Sequence, residues 1–127
     1  MVRLAIARWG VRFSLLWRYG ASSSHDRLSD KELGSLLADL DDGKYDTEHG
    51  DVWLSEEATG RGIGVFAGDR GLVVLENTEP GGESFHRVGV LREDAFTLLR
   101  RFADGELGAI RGESWLRVTD PCERSAA

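Results

Sequence analysis

The side chains that could do chemistry in this chain are few, and their spacing argues against most of it. The histidines are His25, His49 and His86. None sits in an H-x-x-x-H or H-E-x-x-H pattern, so no pair shares a helix face as zinc ligands would. Ser22-Ser23-Ser24-His25-Asp26 contains every residue type of a nucleophilic triad. A triad, however, needs groups that converge from separate elements, which neighbours in sequence rarely do. That run is expected to be a solvated loop. Asp46-Thr47-Glu48-His49-Gly50-Asp51 offers oxygen and imidazole donors to a divalent ion. Its glycines fall at the wrong offsets for a calcium loop, so an acidic solvated loop is expected there and no metal site.

Gly60-Arg61-Gly62-Ile63-Gly64 suggests a phosphate loop at first sight. It lacks the G-K-[ST] ending, and the residues after it are strand-like, so no helix N-terminus would supply converging N–H groups. It reads as a turn. Cys122 is the only cysteine and follows a proline near the C-terminus, with no activating neighbour. It allows no intramolecular disulfide and no cysteine-built zinc site, which fits a reducing, cytoplasmic setting. No catalytic residue and no cofactor are assigned. An enzyme would have to assemble dispersed groups such as Glu83, His86 and Arg87 in space, and the sequence leans away from one.

The elements that would position these groups can be read from periodicity. Val11, Phe13, Leu15, Trp17 and Tyr19 alternate with Arg12, Ser14, Leu16 and Arg18, the pattern of a half-buried strand. Ala21 to Asp26 is expected to be a polar loop. Ser29 and Glu32 have capping-box spacing, with Leu28 and Leu33 at the two positions of a hydrophobic staple. Leu33, Leu36, Leu37 and Leu40 then form an apolar stripe, which predicts a helix over 30–42 closed by Gly43. Strands are expected at 51–55, 62–67, 72–77, 84–90 and 114–118. The pair at 62–67 and 72–77 should form a hairpin through Gly68-Asp69-Arg70-Gly71. A second helix is predicted over 92–104, with Glu93 and Asp94 at its positive end, Arg100 and Arg101 at its negative end, and Gly105 after it. The predicted fold is α+β: an antiparallel or mixed sheet of about five to seven strands with two helices on one face. One domain is expected over 1–120, followed by a frayed tail at 121–127.

Charge narrows the partners. The chain of 127 residues carries a net charge of −6, which argues against general nucleic-acid binding. No apolar run is long enough to span a membrane, and arginines interrupt the opening segment, so neither a span nor a signal peptide is expected. The charge is unevenly placed. Residues 1–18 hold four arginines and no acid, while residues 39–57 hold eight acids against Lys44. The acidic stretch suits docking onto a basic cleft, where it would speed encounter. The expected contact residues are Asp41, Asp42, Tyr45, Asp46, Glu48, Asp51 and Trp53. The tryptophans Trp9, Trp17, Trp53 and Trp115 should mostly fill the core, with one or two left as anchors for a partner.

The layout from Leu28 to Trp115, with the L-x-x-L-L-x-x-L helix at 33–40 preceding the Gly68-Asp69-Arg70-Gly71-Leu72-Val73-Val74-Leu75 segment, resembles the immunity proteins of actinobacterial polymorphic-toxin systems. The resemblance is one of layout over about residues 28–118. It implies a small acidic α+β protein that binds and neutralises a cognate toxin, and it assigns no binding residue by position. The leading expectation is therefore a non-catalytic binding protein for a basic toxin or nuclease. The alternative is a homodimeric small-ligand-binding or regulatory module, with an apolar pocket or two-fold interface lined by tryptophans.

Overall fold

The computed structural model describes residues 12–18, 20–41, 50–67, 71–77, 84–112 and 115–118. Within them the strands are β1 (Phe13–Leu16), β2 (Ser22–His25), β3 (Asp51–Glu56), β4 (Gly62–Phe66), β5 (Val73–Glu76), β6 (Ser84–Arg87) and β7 (Leu116–Val118). The helices are α1 (Asp30–Ala38), extended by a 3-10 turn at Asp39–Asp41, α2 (Arg92–Ala103) and α3 (Leu107–Arg111). The strands form one sheet in the order β2-β1-β3-β4-β5-β6-β7, and every pairing is antiparallel. The fold is α+β.

Alternation decides which face is buried. Phe13 and Leu15, Val52 and Leu54, Ile63 and Val65, Val73 and Leu75 all point to one side and are buried. The helices cover that side with their own stripes: Leu33, Leu36, Leu37 and Leu40 on one, Ala95, Leu98, Leu99 and Phe102 on the other, with Ile110 of α3 beside them. The longer helices also pack against each other. Trp17 and Trp115 lie against this core, as expected for most of the tryptophans. Trp9 lies outside the described residues.

The capping box of α1 is present in full. Ser29 Oγ accepts from the Glu32 amide at 3.2 Å, and Glu32 Oε1 accepts from the Ser29 amide at 2.9 Å. Leu28 and Leu33 beside it are both buried. The helix ends sooner than 42. No basic residue lies in its last turn, and Asp39 and Asp41 oppose the negative end of the dipole, so the chain tightens into a 3-10 turn. Gly43 lies outside the described residues.

Three expectations need correction. The first strand is shorter than 11–19: Trp17 already opens a turn, its amide donating to Ala21 O at 2.8 Å. Val11 and Tyr19 are outside the described residues. The stretch 21–26, expected to be a loop, contains β2, paired with β1 from Phe13↔His25 to Leu16↔Ser22. Among the described residues it is an edge strand with one neighbour, and it buries little, so it needs no apolar alternation and gives no periodic signal. Helix α3 has no counterpart among the expected elements. It is five residues long, too short for a helical period to show.

Gly71 is where the sheet meets α2. Its φ is +60°, and a Cβ there would lie 2.6 Å from Val90 N and 2.7 Å from Val90 O. Val90 N–H donates to Gly71 O at 3.0 Å, so this approach ties β5 to the start of α2. Because the obstructing atoms are backbone, Gly71→Ala is expected to cost about 1–3 kcal/mol. Urea unfolding checks this; a loss below about 0.5 kcal/mol would mean that the two segments do not meet so closely.

Candidate functional site

Of the expected contact residues, Asp42, Tyr45, Asp46 and Glu48 lie outside the described residues. The other three are divided by the sheet. Asp41 is in the helix layer, its Oδ1 3.0 Å from Arg92 Nη2. Trp53 alternates with the buried Val52 and Leu54, so it projects from the opposite face. Its indole N–H donates to Asp51 Oδ2 at 2.6 Å. Asp51 is thus partly committed within the chain, and Asp41 cannot share one flat patch with Trp53.

What these residues share is one end of the molecule. The chain leaves the helix layer at Asp41 and re-enters the sheet at Gly50, whose carbonyl accepts from Ala67 N at 2.7 Å. Arg92, at the start of α2, is bonded to Asp41. At this end Gly34, Leu37 and Ala38 of α1, Asp41, and Leu91, Arg92, Glu93 and Phe96 line a groove of about 620 Å³. Small residues keep it open: a Cβ on Gly34 would meet nothing within 4 Å. No tryptophan is among the residues that line it.

Leu91 is the informative residue of this groove. It occupies the N-cap of α2 and makes no side-chain cap bond. Ser, Thr, Asp or Asn there would stabilise the helix by about 1 kcal/mol relative to an apolar residue. The leucine is also 61% exposed, and Val88 nearby in sequence is 47% exposed. Neither capping nor core burial accounts for a leucine at this position.

The face away from the helices has its own organisation. The register places Leu16, Trp53, Gly64, Val74, His86 and Leu116 in one row across the sheet. The Trp53 ring lies flat on the glycine strand: a Cβ on Gly64 would fall 2.5 Å from it. Phe66 meets that ring edge-on at 6.1 Å. The Gly60–Gly64 segment therefore serves as a turn followed by the strand on which a tryptophan rests. Of the dispersed set Glu83, His86 and Arg87, the first lies outside the described residues, and alternation sends His86 and Arg87 to opposite faces.

The sequence reading missed one constellation. Ser23 Oγ is 2.8 Å from His25 Nε2, and His25 Nδ1 is 2.8 Å from Glu32 Oε2. Trp17 Nε1 is 3.4 Å from Ser23 Oγ. Ser23 and His25 share a face because they are two apart on β2, and Glu32 comes from the first turn of α1. The Glu32 carboxyl is held below its usual value, chiefly by the Ser29 amide, with the Ser29 hydroxyl and His25 adding. Strand spacing S-x-H would reveal the first link only if residues 21–26 were read as a strand. The second is a contact between elements and has no local signature.

Among the described residues, no three His, Cys, Asp or Glu side chains are grouped to hold a metal ion, and no helix is long and apolar enough to cross a membrane. No protein-family model, curated protein or solved structure matches the chain.

The lowered Glu32 value has a testable consequence. A carboxyl depressed in the folded state contributes stability above its unfolded pKa, and this is lost as pH falls through the folded one. Gln can replace Glu in a capping box, so Glu32→Gln isolates the charge. The stability advantage of the native chain over this variant should be full at pH 7 and shrink as pH drops below the ordinary glutamate value of 4.5. Urea unfolding of both proteins at pH 7 and pH 3 checks it; an advantage of equal size at both would place its origin outside the carboxylate charge.

Proposed function

We propose that this protein is a binding protein that occupies and neutralises a basic protein partner, in the manner of the toxin-immunity proteins its layout resembles. The observation that carries the reading is Leu91: an exposed leucine at a helix N-cap, beside an open apolar groove. Exposed apolar anchors next to a groove are the usual core of a protein interface, with charge at the rim. Asp41, paired with Arg92, and Glu93 leave a net negative charge at the groove, and the acidic run continues in sequence through Asp42, Asp46 and Glu48. A basic toxin or nuclease surface is complementary to that charge and would be steered toward it. The working compartment on this reading is the cytoplasm, where such a partner would be met.

A second reading has an observation of its own. Leu16 on β1 and Leu116 on β7, both in the open-face row, are 41% and 61% exposed. That favours a homodimer pairing through the sheet, as in a regulatory or ligand-binding module.

Leu91→Ser separates folding from binding, because serine should cap α2 and raise stability by about 1 kcal/mol while removing the apolar anchor. A combined variant, Asp41→Asn, Asp42→Asn, Asp46→Asn and Glu48→Gln, removes the charge. Capture from source-cell lysate on the native chain is expected to retain one basic partner, released as salt rises. Titration of that purified partner should then show Leu91→Ser binding weakened despite its higher melting point. The charge variant should associate roughly tenfold more slowly. Capture of nothing, or equal binding by all three proteins, would reject the reading. A two-fold mass in sedimentation would transfer support to the homodimer.

A further inference from the structure

We propose that Ser23, His25 and Glu32 form a nucleophilic relay, and that Ser23 attacks small carboxylic esters reaching β2, the end strand of the sheet among the described residues. This is independent of the partner reading, since it uses none of the groove residues.

The relay has the connections that activate a serine. A carboxylate can only accept, so Glu32 fixes the proton of a neutral His25 imidazole on Nδ1, at 2.8 Å. That leaves the lone pair on Nε2, 2.8 Å from Ser23 Oγ, positioned to take the hydroxyl proton. The acid comes from α1 and the other two groups from β2, which is the convergence from separate elements that such chemistry needs. Glu32 is itself held in place by the Ser29 amide and hydroxyl, at 2.9 and 3.1 Å.

The neighbouring serines are not equivalent. Ser24 points to the other face, where its hydroxyl is bonded to Glu57 together with that of Ser14. Within Ser22-Ser23-Ser24, therefore, only Ser23 is described in contact with an imidazole. The position is also accessible. β2 is the end strand of the sheet, and the side chains of His25 and Glu32 are 23% and 34% exposed.

The reaction balances without a cofactor. Ser23 Oγ bonds to the ester carbonyl carbon as its proton passes to His25 Nε2. The carbonyl π electrons move to oxygen, next to the Trp17 indole N–H that now lies 3.4 Å from Ser23 Oγ. Collapse breaks the bond to the leaving alcohol, which takes the proton from His25. Water then attacks the acyl-serine with His25 as base, releasing the carboxylic acid and restoring Ser23. Ser23 and His25 would be the catalytic residues. Glu32 is a positioning residue that acts through His25.

The test uses the full chain with a fluorophosphonate probe and with p-nitrophenyl acetate. The expected result is a single adduct mapped to Ser23, absent in Ser23→Ala, unchanged in Ser24→Ala, and formed about 100-fold more slowly in His25→Gln. Release of p-nitrophenolate should follow the same order. Glu32→Gln retains the helix cap, and its labelling is compared under conditions where urea unfolding shows both proteins fully folded. It should slow labelling and convert the ring-nitrogen spectrum of His25 from one dominant Nδ1–H tautomer to a mixture. An adduct spread over the three serines, no adduct, or labelling indifferent to His25→Gln would overturn the proposal. An unchanged tautomer in Glu32→Gln would overturn the role of Glu32.

Discussion

A sheet that buries one face and leaves the other open cannot slide by a residue, because every side chain would change sides. That constraint governs this molecule. Phe13, Leu15, Val52, Leu54, Ile63, Val65, Val73 and Leu75 must all meet the helices, so their neighbours in sequence must all face away. Trp53 is sent to the open face because Val52 and Leu54 are needed in the core. Gly64, directly opposite in register, then has to lack a side chain so that the indole can lie on it. The same alternation carries Ser23 and His25 to the helix side of β2 and Ser24 to the other. The positions of Trp53 on the open face and of Ser23 and His25 on the helix side result from this choice of faces.

The helix layer is fixed to the sheet through α1, which is tied at each end by an arginine. At its start, Arg100 of α2 reaches back, its Nη1 donating to Leu28 O at 2.9 Å and to Asp30 Oδ1 at 3.0 Å while Nη2 meets Asp104 at 2.8 Å. At its far end Arg18, buried in the β1–β2 turn, donates its amide to Asp39 Oδ2 at 2.7 Å and its guanidinium to Leu40 O at 3.4 Å. Charged groups bound in this way resist removal, since each would leave a partner unsatisfied. The ties hold Glu32 opposite β2, and they place Asp41 beside Arg92. Arg100 illustrates how little of this is local: a residue suited to a helix C-terminus by its charge is used to join two helices.

Elements with a period or a cap could be read directly from the residues. The capping box at Ser29 and Glu32, the leucine stripe of α1, the apolar face of α2 and the strands around Val52, Ile63 and Val73 all lie where the pattern put them. What escaped had a physical reason to be silent. Strand β2 is serine-rich because an edge strand can remain half-solvated, and α3 ends before a helical repeat completes. The site was less legible than the fold. Acidic residues adjacent in sequence suggested one patch, but strand alternation divided Asp41 from Trp53. The link from His25 to Glu32 depends on how α1 crosses β2, which no local spacing encodes. The start of α2 at Arg92 agrees with the predicted 92–104, but the exposure of its cap residue Leu91 depends on tertiary packing and has no local signal.

The two ends of α1 differ in how they use negative charge. At the N-terminus Glu32 is favoured by the dipole, by the Ser29 amide and by His25, so its charge is satisfied within the chain. At the C-terminus Asp39 and Asp41 stand where the dipole disfavours acids, each by about 0.3–1 kcal/mol when exposed. The amide of Arg18 and the guanidinium of Arg92 offset part of that. A cation brought by a partner would offset more, whereas at the N-terminus it would compete with bonds already made. Leu91 breaks a second local rule at the same end, by standing where a polar cap belongs. Departures from local preference are expected at functional or strained sites, and here they cluster at one end of the helix layer. A helix of nine residues is about 13 Å long. That length separates an end whose charges are internally paired from one whose acids are only partly offset and whose exposed leucine has no use inside the fold.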